Sequence, residues 1–336
     1  MELDTLSRMA LAPRGPFFRN GGDMQTDDRK AFVRQHAIQR LGRAPDYFAS
    51  PLTVLASPVW RGVEGDVWVA QAAGKAETFK HYHDDVSPYV DVPAAMVAAT
   101  LAGQCGVGPN VLQTWPQEGL MVMEWLGEGW QVGGLHHCTD PKLRSRIIAA
   151  KKALHTGEKF PRDGDIFAEI AQLHQRCMET SAALPKQCDA HLAFADQARA
   201  AMAARGVDKV PCHRDGNTAN VMIGPNHTVK LLDYDLAANA DPFEDLGCWL
   251  LEFFEREPEM RAGFEEWMGH FDEGLFQRAI IYGMLDDLRW GLIGLLMQAT
   301  SARSSLEFSK YAMWRLMRFN VMAQCAQAAD RLRSMA

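Results

Sequence analysis

The sequence lacks what several large protein classes require. No apolar run approaches the roughly 18 residues of a spanning helix, and no apolar segment near the N-terminus follows a basic one. Neither a membrane span nor export is therefore expected. The seven cysteines (Cys105, Cys138, Cys177, Cys188, Cys212, Cys248 and Cys325) are dispersed, odd in number and free of any C-x-x-C pair. That argues against a disulfide framework or a zinc site and for reduced thiols in a cytoplasmic protein. Lys and Arg form no cluster and the formal net charge is -7. No nucleic-acid footprint or basic membrane patch is expected from such a distribution. Internal repeats and low-complexity tracts are missing too. What remains, 47% apolar and 23% charged residues, is ordinary globular composition.

A chain of 336 residues can form two packed bodies, or one large body with an appended lobe. Residues 1–50 read as an N-terminal extension. Its single amphipathic helix lies in "TDDRKAFVRQHAIQRLG", with Phe32, Val33, Ala37 and Leu41 inward. Residues 51–126 read as a β-rich lobe. "LTVLA", "DVWVAQA", "AETFKHY", "VLQTW" and "GLMVMEWL" are short strands rich in β-branched and aromatic residues. One helix interrupts them, with Asp91 placed as N-cap and Gly106 and Pro109 ending it. Residues 127–336 carry helical periodicity except for a hairpin, "NVMI" and "VKLLD" around the turn "GPNH". The fold class is α+β, with a small β-rich lobe followed by a larger helical one.

The chemical signal sits in "PCHRDGNTAN". Phosphoryl transfer from ATP needs a carboxylate to orient the attacking hydroxyl and oxygen ligands to hold magnesium. His213-Arg214-Asp215 followed by Asn220 has the H-R-D-x-x-x-x-N spacing of kinase catalytic loops. "LLDYD" then places Asp233 at the end of an apolar strand, where a buried hairpin would return its carboxylate to the same place. Magnesium prefers hard oxygen ligands, which makes Asn220, Asp233 and Asp235 its candidates. The plainer alternative is a polar turn between two strands, with His213 as a cap or a core residue. Twelve positions separate Asp233 from Asp245 and no A-P-E follows. No activation segment fits there, so a small-molecule substrate is expected in place of a peptide.

The catalytic loop, the hairpin and "ADPFEDLGCWLLEFF" together resemble the aminoglycoside phosphotransferase and choline kinase superfamily, which has the protein-kinase-like two-lobed fold. "DLRWGLIGLLMQATSARSSLEFSKYAMWRLMRF" is similar to the closing helices of its choline and ethanolamine kinase branch. The resemblance implies Asp215 as catalytic base, with Asn220, Asp233 and Asp235 as magnesium ligands. It implies Asp245 as a brace on the catalytic-loop backbone, although Asp245 can also be read as a first-turn acid on its helix. Gly62 and Gly65, in "WRGVEGDVW", would form the loop over the ATP phosphates, or a plain hairpin turn. Lys80 would hold those phosphates, or stand as a solvated strand lysine. Glu124, Trp125 and Leu126 would meet adenine at the connection between lobes.

Two departures stand out. Ala95 occupies the position where the family's helix carries a glutamate for the lysine. Asp91, one turn earlier, is either the replacement or simply the N-cap. In the acceptor site the resemblance implies Glu252 and Trp290, with Trp249 and Phe253 on the same helix as Glu252. A second tryptophan of the branch is Ile293 here. Cation–π attraction would hold a choline- or ethanolamine-like amino alcohol there, although these aromatics can equally be packing core. Kinases for another hydroxylated compound, such as an aminoglycoside or sugar, and a catalytically silent nucleotide-binding protein remain open. Nothing in the sequence indicates the oligomeric state.

Overall fold

The computed structural model describes residues 26–51, 62–204, 206–303, 305–324 and 328–335. The expected strand at residues 52–56 lies outside them.

Helix α1 (Thr26–Leu41) opens the described chain, followed by strands β1 (Tyr47–Ala49), β2 (Gly65–Ala72) and β3 (Lys75–Tyr82). Helix α2 (Val92–Gln104) precedes β4 (Val111–Trp115) and β5 (Leu120–Glu124). The five strands form one antiparallel sheet in the order β1-β2-β3-β5-β4. Trp68, Phe79 and Val122 stand in register across β2, β3 and β5, and with Val33 and Ala37 of α1 they form a separate apolar cluster. Residues 26–49 are thus packed on and paired into this lobe, not appended to it. Side chains alternate along a strand. The register that buries Phe79 under α1 therefore places Val67, Lys80 and Met121 together on the opposite face.

The chain leaves the sheet after Glu124 and next pairs at β6 (Gln131–Val132). Helices α3 (Pro141–His155), α4 (Ile166–Glu179) and α5 (Cys188–Ala203) follow, then β7 (Val210–Cys212), β8 (Val221–Ile223), β9 (Val229–Leu231) and β10 (Ala238–Ala240). Five helices complete the chain: α6 (Pro242–Phe253), α7 (Glu257–Met268), α8 (Glu273–Thr300), α9 (Phe308–Ala323) and α10 (Ala328–Met335). Helix α8 is buried on every side from Phe276 to Met297, its charged Arg278, Asp286, Asp287 and Arg289 included, which makes it the axis on which α4, α6, α9 and α10 pack. Gly247 and Gly283 let α6 and α8 cross almost backbone to backbone; a Cβ on Gly247 would lie 2.1 Å from the Ala279 carbonyl oxygen.

The expected hairpin is present, with Val221 opposite Leu231 and Ile223 opposite Val229, and β6 extends it to three strands. β7 pairs with β10 beside it. The result is a two-lobed α+β architecture with the hairpin at the junction.

Candidate active site

The loop from β7 to β8 carries His213, Arg214 and Asp215, and its backbone is held from below. Asp245, fully buried near the start of α6, accepts hydrogen bonds from the backbone N–H groups of His213 (3.0 Å) and Arg214 (2.8 Å). It also accepts from Lys151 (3.0 Å) and bonds His155 Nε2 (2.9 Å). Burial alone would raise this carboxyl, but Lys151 and His155 outweigh it and hold Asp245 well below its usual range. Arg214 takes the unfavourable positive φ of 62°, and its buried guanidinium reaches Glu169 (2.7 Å) and Glu244 (2.8 Å). Arg289 joins the same carboxylates from α8. Gly216 presses on α6, where a Cβ would meet the Cys248 carbonyl oxygen at 2.3 Å.

Burial lowers the His213 imidazole, so it is neutral and has one N–H to give. Both ring nitrogens face carbonyl oxygens, Leu232 at 2.7 Å and Asp215 at 3.1 Å. Lys151 already donates to the Asp215 carbonyl at 3.0 Å. The proton therefore belongs on Nε2, which ties the loop to the strand end just before Asp233.

The Asp215 carboxylate accepts from the Asn217 backbone N–H (2.6 Å) and from Asn220 Nδ2 (2.6 Å). Burial, aided by the nearby Asp233 charge, outweighs these bonds and raises its pKa to about 7. Across the cleft, Lys80 Nζ donates to Asp233 (2.7 Å) and to both oxygens of Asp235 (2.8 Å each). Tyr82 donates to Asp235 at 2.7 Å. Burial would lower the Lys80 ammonium, but the two aspartates hold it well above its usual value. Burial raises both aspartates in turn. Lys80 overcomes it at Asp233, which is lowered, while the Asp233 charge adds to it at Asp235, which is raised.

Asp91 accepts from Ala94 N at 3.1 Å and caps α2, so the cap accounts for it and Asp233 and Asp235 supply the partners of Lys80. Glu64, between the two glycines, was not foreseen. Its carboxylate lies with those of Asp233 and Asp235 in a group whose oxygens all fall within 4.8 Å of one another.

Two cavities meet at this point. The smaller, about 320 Å³, lies between the sheet and the hairpin and is lined by Gly62, Gly65, Lys80, Glu124, Trp125 and Leu126, among others. Gly62 has φ +65°, a conformation that favours glycine. The Glu124 carboxylate is taken by Asn110, and its backbone N–H donates to the Asn110 carbonyl oxygen at 2.9 Å. The larger cavity, about 1180 Å³, is lined by Asp215, Asp235, Glu252, Trp290, Tyr311 and Arg315, among others. Glu64, Asn220 and Asp233 border both.

Three acceptor-site expectations change. Trp249 is wholly buried against Phe253, Phe254 and Trp267; it and Phe253 belong to the core and line neither cavity. Ile293, one turn beyond Trp290, lines a separate cavity of about 310 Å³. Glu252 is in place but already bonded to Arg315 (2.6 Å) and Arg318 (2.8 Å). Burial would raise it, and the two guanidinium groups instead bring its pKa to about 2. Both arginines and Tyr311 sit in "SKYAMWRLMRF", and their helical spacing from the buried Phe308, Ala312, Leu316 and Phe319 was the available signal.

A β-rich lobe and a helical lobe closing on one carboxylate-rich cleft make the architecture that of the protein-kinase-like phosphotransferases. The chain belongs to the phosphotransferase enzyme family, which residues 56–279 match. Among curated proteins no match is found. A choline/ethanolamine kinase family protein from Mesorhizobium loti superposes with TM-score 0.73 at 24% identity, over 90% of this chain and 98% of that one. The choline kinase LicA from Streptococcus pneumoniae gives 0.70 at 15%, over 91% and 99%. The Plasmodium vivax ethanolamine kinase gives 0.72 at 11%, over 98% and 96%. At these identities the likeness establishes the shared fold.

Proposed function

We propose that the protein is an ATP- and magnesium-dependent kinase that phosphorylates the hydroxyl of a small amino alcohol of the choline or ethanolamine type. The observation that carries this reading is the position of Asp215. It lies in the wall of the larger cavity and is bonded to Asn220, which borders the smaller one together with Lys80 and Asp233. A nucleotide in the smaller cavity and a hydroxyl in the larger would meet there.

Glu64, Asp233 and Asp235 form an all-oxygen donor set that fits magnesium, and the Asn220 amide can offer Oδ1 while Nδ2 holds Asp215. When bound, the ion supplies charge compensation for the phosphates. Lys80, which lines the smaller cavity, would hold those phosphates. Asp215 orients the acceptor and accepts its proton as the hydroxyl oxygen bonds to the γ-phosphorus and the bond to the ADP oxygen breaks. A pKa of about 7 suits a base working near neutral pH.

The amino-alcohol class is supported by Trp290 and Tyr311, whose rings meet edge-to-face at 6.2 Å in the wall of the cavity, and by the printed names of the choline and ethanolamine kinases that share the fold. A kinase for another hydroxylated compound is favoured by one observation: Glu252 is neutralised by Arg315 and Arg318. ADP release with choline, ethanolamine, a neutral isosteric alcohol, an aminoglycoside and a sugar, each with magnesium and with chelator, separates the two. Preference for the cations supports the first reading, and equal use of the neutral alcohol the second. Magnesium-dependent ATP binding with no acceptor phosphorylated would overturn both and leave a silent nucleotide-binding protein.

A further inference from the structure

The larger cavity is oversized for an amino alcohol of a few heavy atoms. Its volume of about 1180 Å³ exceeds the roughly 300–1,000 Å³ of pockets that hold drug-sized ligands. Beyond Trp290 and Tyr311 its wall runs onto an apolar surface that water reaches. Trp314, Met317 and Val321 of α9 are 51%, 52% and 69% exposed, and Leu135, from the segment before α3, is 66% exposed; all four line the cavity. Spacings of three and four residues put the α9 trio on one helix face.

That face is held outward. Leu316 and Ala312 on the other side of α9 rest on Gly291 and Gly294 of α8, where added Cβ atoms would approach them to 2.6 and 2.9 Å. Helix α9 cannot turn its exposed face into the core without losing this fit. Apolar residues gathered on the surface and continuous with a ligand cavity mark a binding surface.

We propose that the acceptor is amphipathic, with a hydroxyl-bearing head at Asp215 and an apolar chain lying along Leu135, Trp314, Met317 and Val321. This rests on the kinase reading above and narrows its substrate class. The test uses ethanolamine and its N-butyl and N-octyl derivatives as monomeric acceptors, read by ADP release. A fully buried methylene contributes about fourfold in affinity, so even partial burial of the octyl chain should raise kcat/KM at least tenfold over ethanolamine. Met317→Ser and Val321→Ser, both at exposed positions that tolerate a polar residue, should reduce that octyl-to-ethanolamine ratio several-fold.

A flat or falling series with ethanolamine itself phosphorylated overturns the inference and leaves the kinase reading standing. If no member turns over, the amino-alcohol reading fails, and calorimetric binding in the presence of magnesium and ADP decides the inference. Tighter binding of the octyl compound than of ethanolamine, weakened by Met317→Ser, supports it; equal binding overturns it. Dissociation of a dimer by these substitutions, with a flat chain-length series, would assign the surface to a second copy and overturn it as well.

Discussion

At the scale of single residues, Asp215 carries the sharpest expectations. Asp215→Asn should lower kcat by about 10²–10⁴, the usual share of a positioned general base, while magnesium-dependent ATP binding measured by calorimetry persists. The free enzyme should also show an acidic limb in kcat/KM near pH 7, because Asp215 must lose its proton to act and burial holds its pKa at about 7. A profile flat down to about pH 5 would show that the Asp215 pKa is not raised in the working enzyme, since an unperturbed aspartate near 3.9 would give that shape. The motif that singled out Asp215 was legible because loop spacing is a local property. The raised pKa was not, since it arises from burial and from the Asp233 charge, which the hairpin brings back to the loop just past β9.

Between elements, two substitutions separate stability from kinetics. Asp91→Ala removes the cap of α2 and should cost about 0.5–2 kcal/mol of stability, read in a denaturant titration. The Michaelis constant for ATP should stay unchanged, because Lys80 bonds Asp233 and Asp235 and not Asp91. Glu252→Gln tests the tie between α6 and α9. The Glu252 pKa is lowered to about 2, so its contribution to stability is complete above the ordinary glutamate value and lost as pH falls toward 2. The glutamine variant should melt lower than wild type at neutral pH, and that difference should shrink as the solution is acidified through this window. The helices, the hairpin and the strand at Lys80 followed from periodicity and turn residues. The pairing of Glu252 with Arg315 and Arg318 did not, because those residues are more than sixty positions apart and meet only when α9 lies on α8.

Over the whole molecule, the lobes are joined by Arg303, just past α8. It reaches Asp85 ahead of α2 at 2.8 and 2.9 Å and also bonds the Val63 carbonyl, next to Gly62. Arg303→Ala should raise the Michaelis constant for ATP by roughly tenfold, the effect of losing one charged hydrogen bond of about 1.5 kcal/mol. Steady-state kinetics at saturating acceptor would show it, and an unchanged constant would mean that the phosphate-side loop is held without this link. Alone, the sequence determined the long helices, strands β2 to β5, the hairpin and the H-R-D-x-x-x-x-N motif, because these depend on neighbours a few residues apart. Only the tertiary structure decided which cation faces which carboxylate, that Trp249 is core while Trp290 lines the cavity, and that α9 presents an apolar face at its mouth. Those outcomes depend on how α8 is buried and on the glycines that let α6 and α9 approach it, and such packing brings together residues that no local spacing connects.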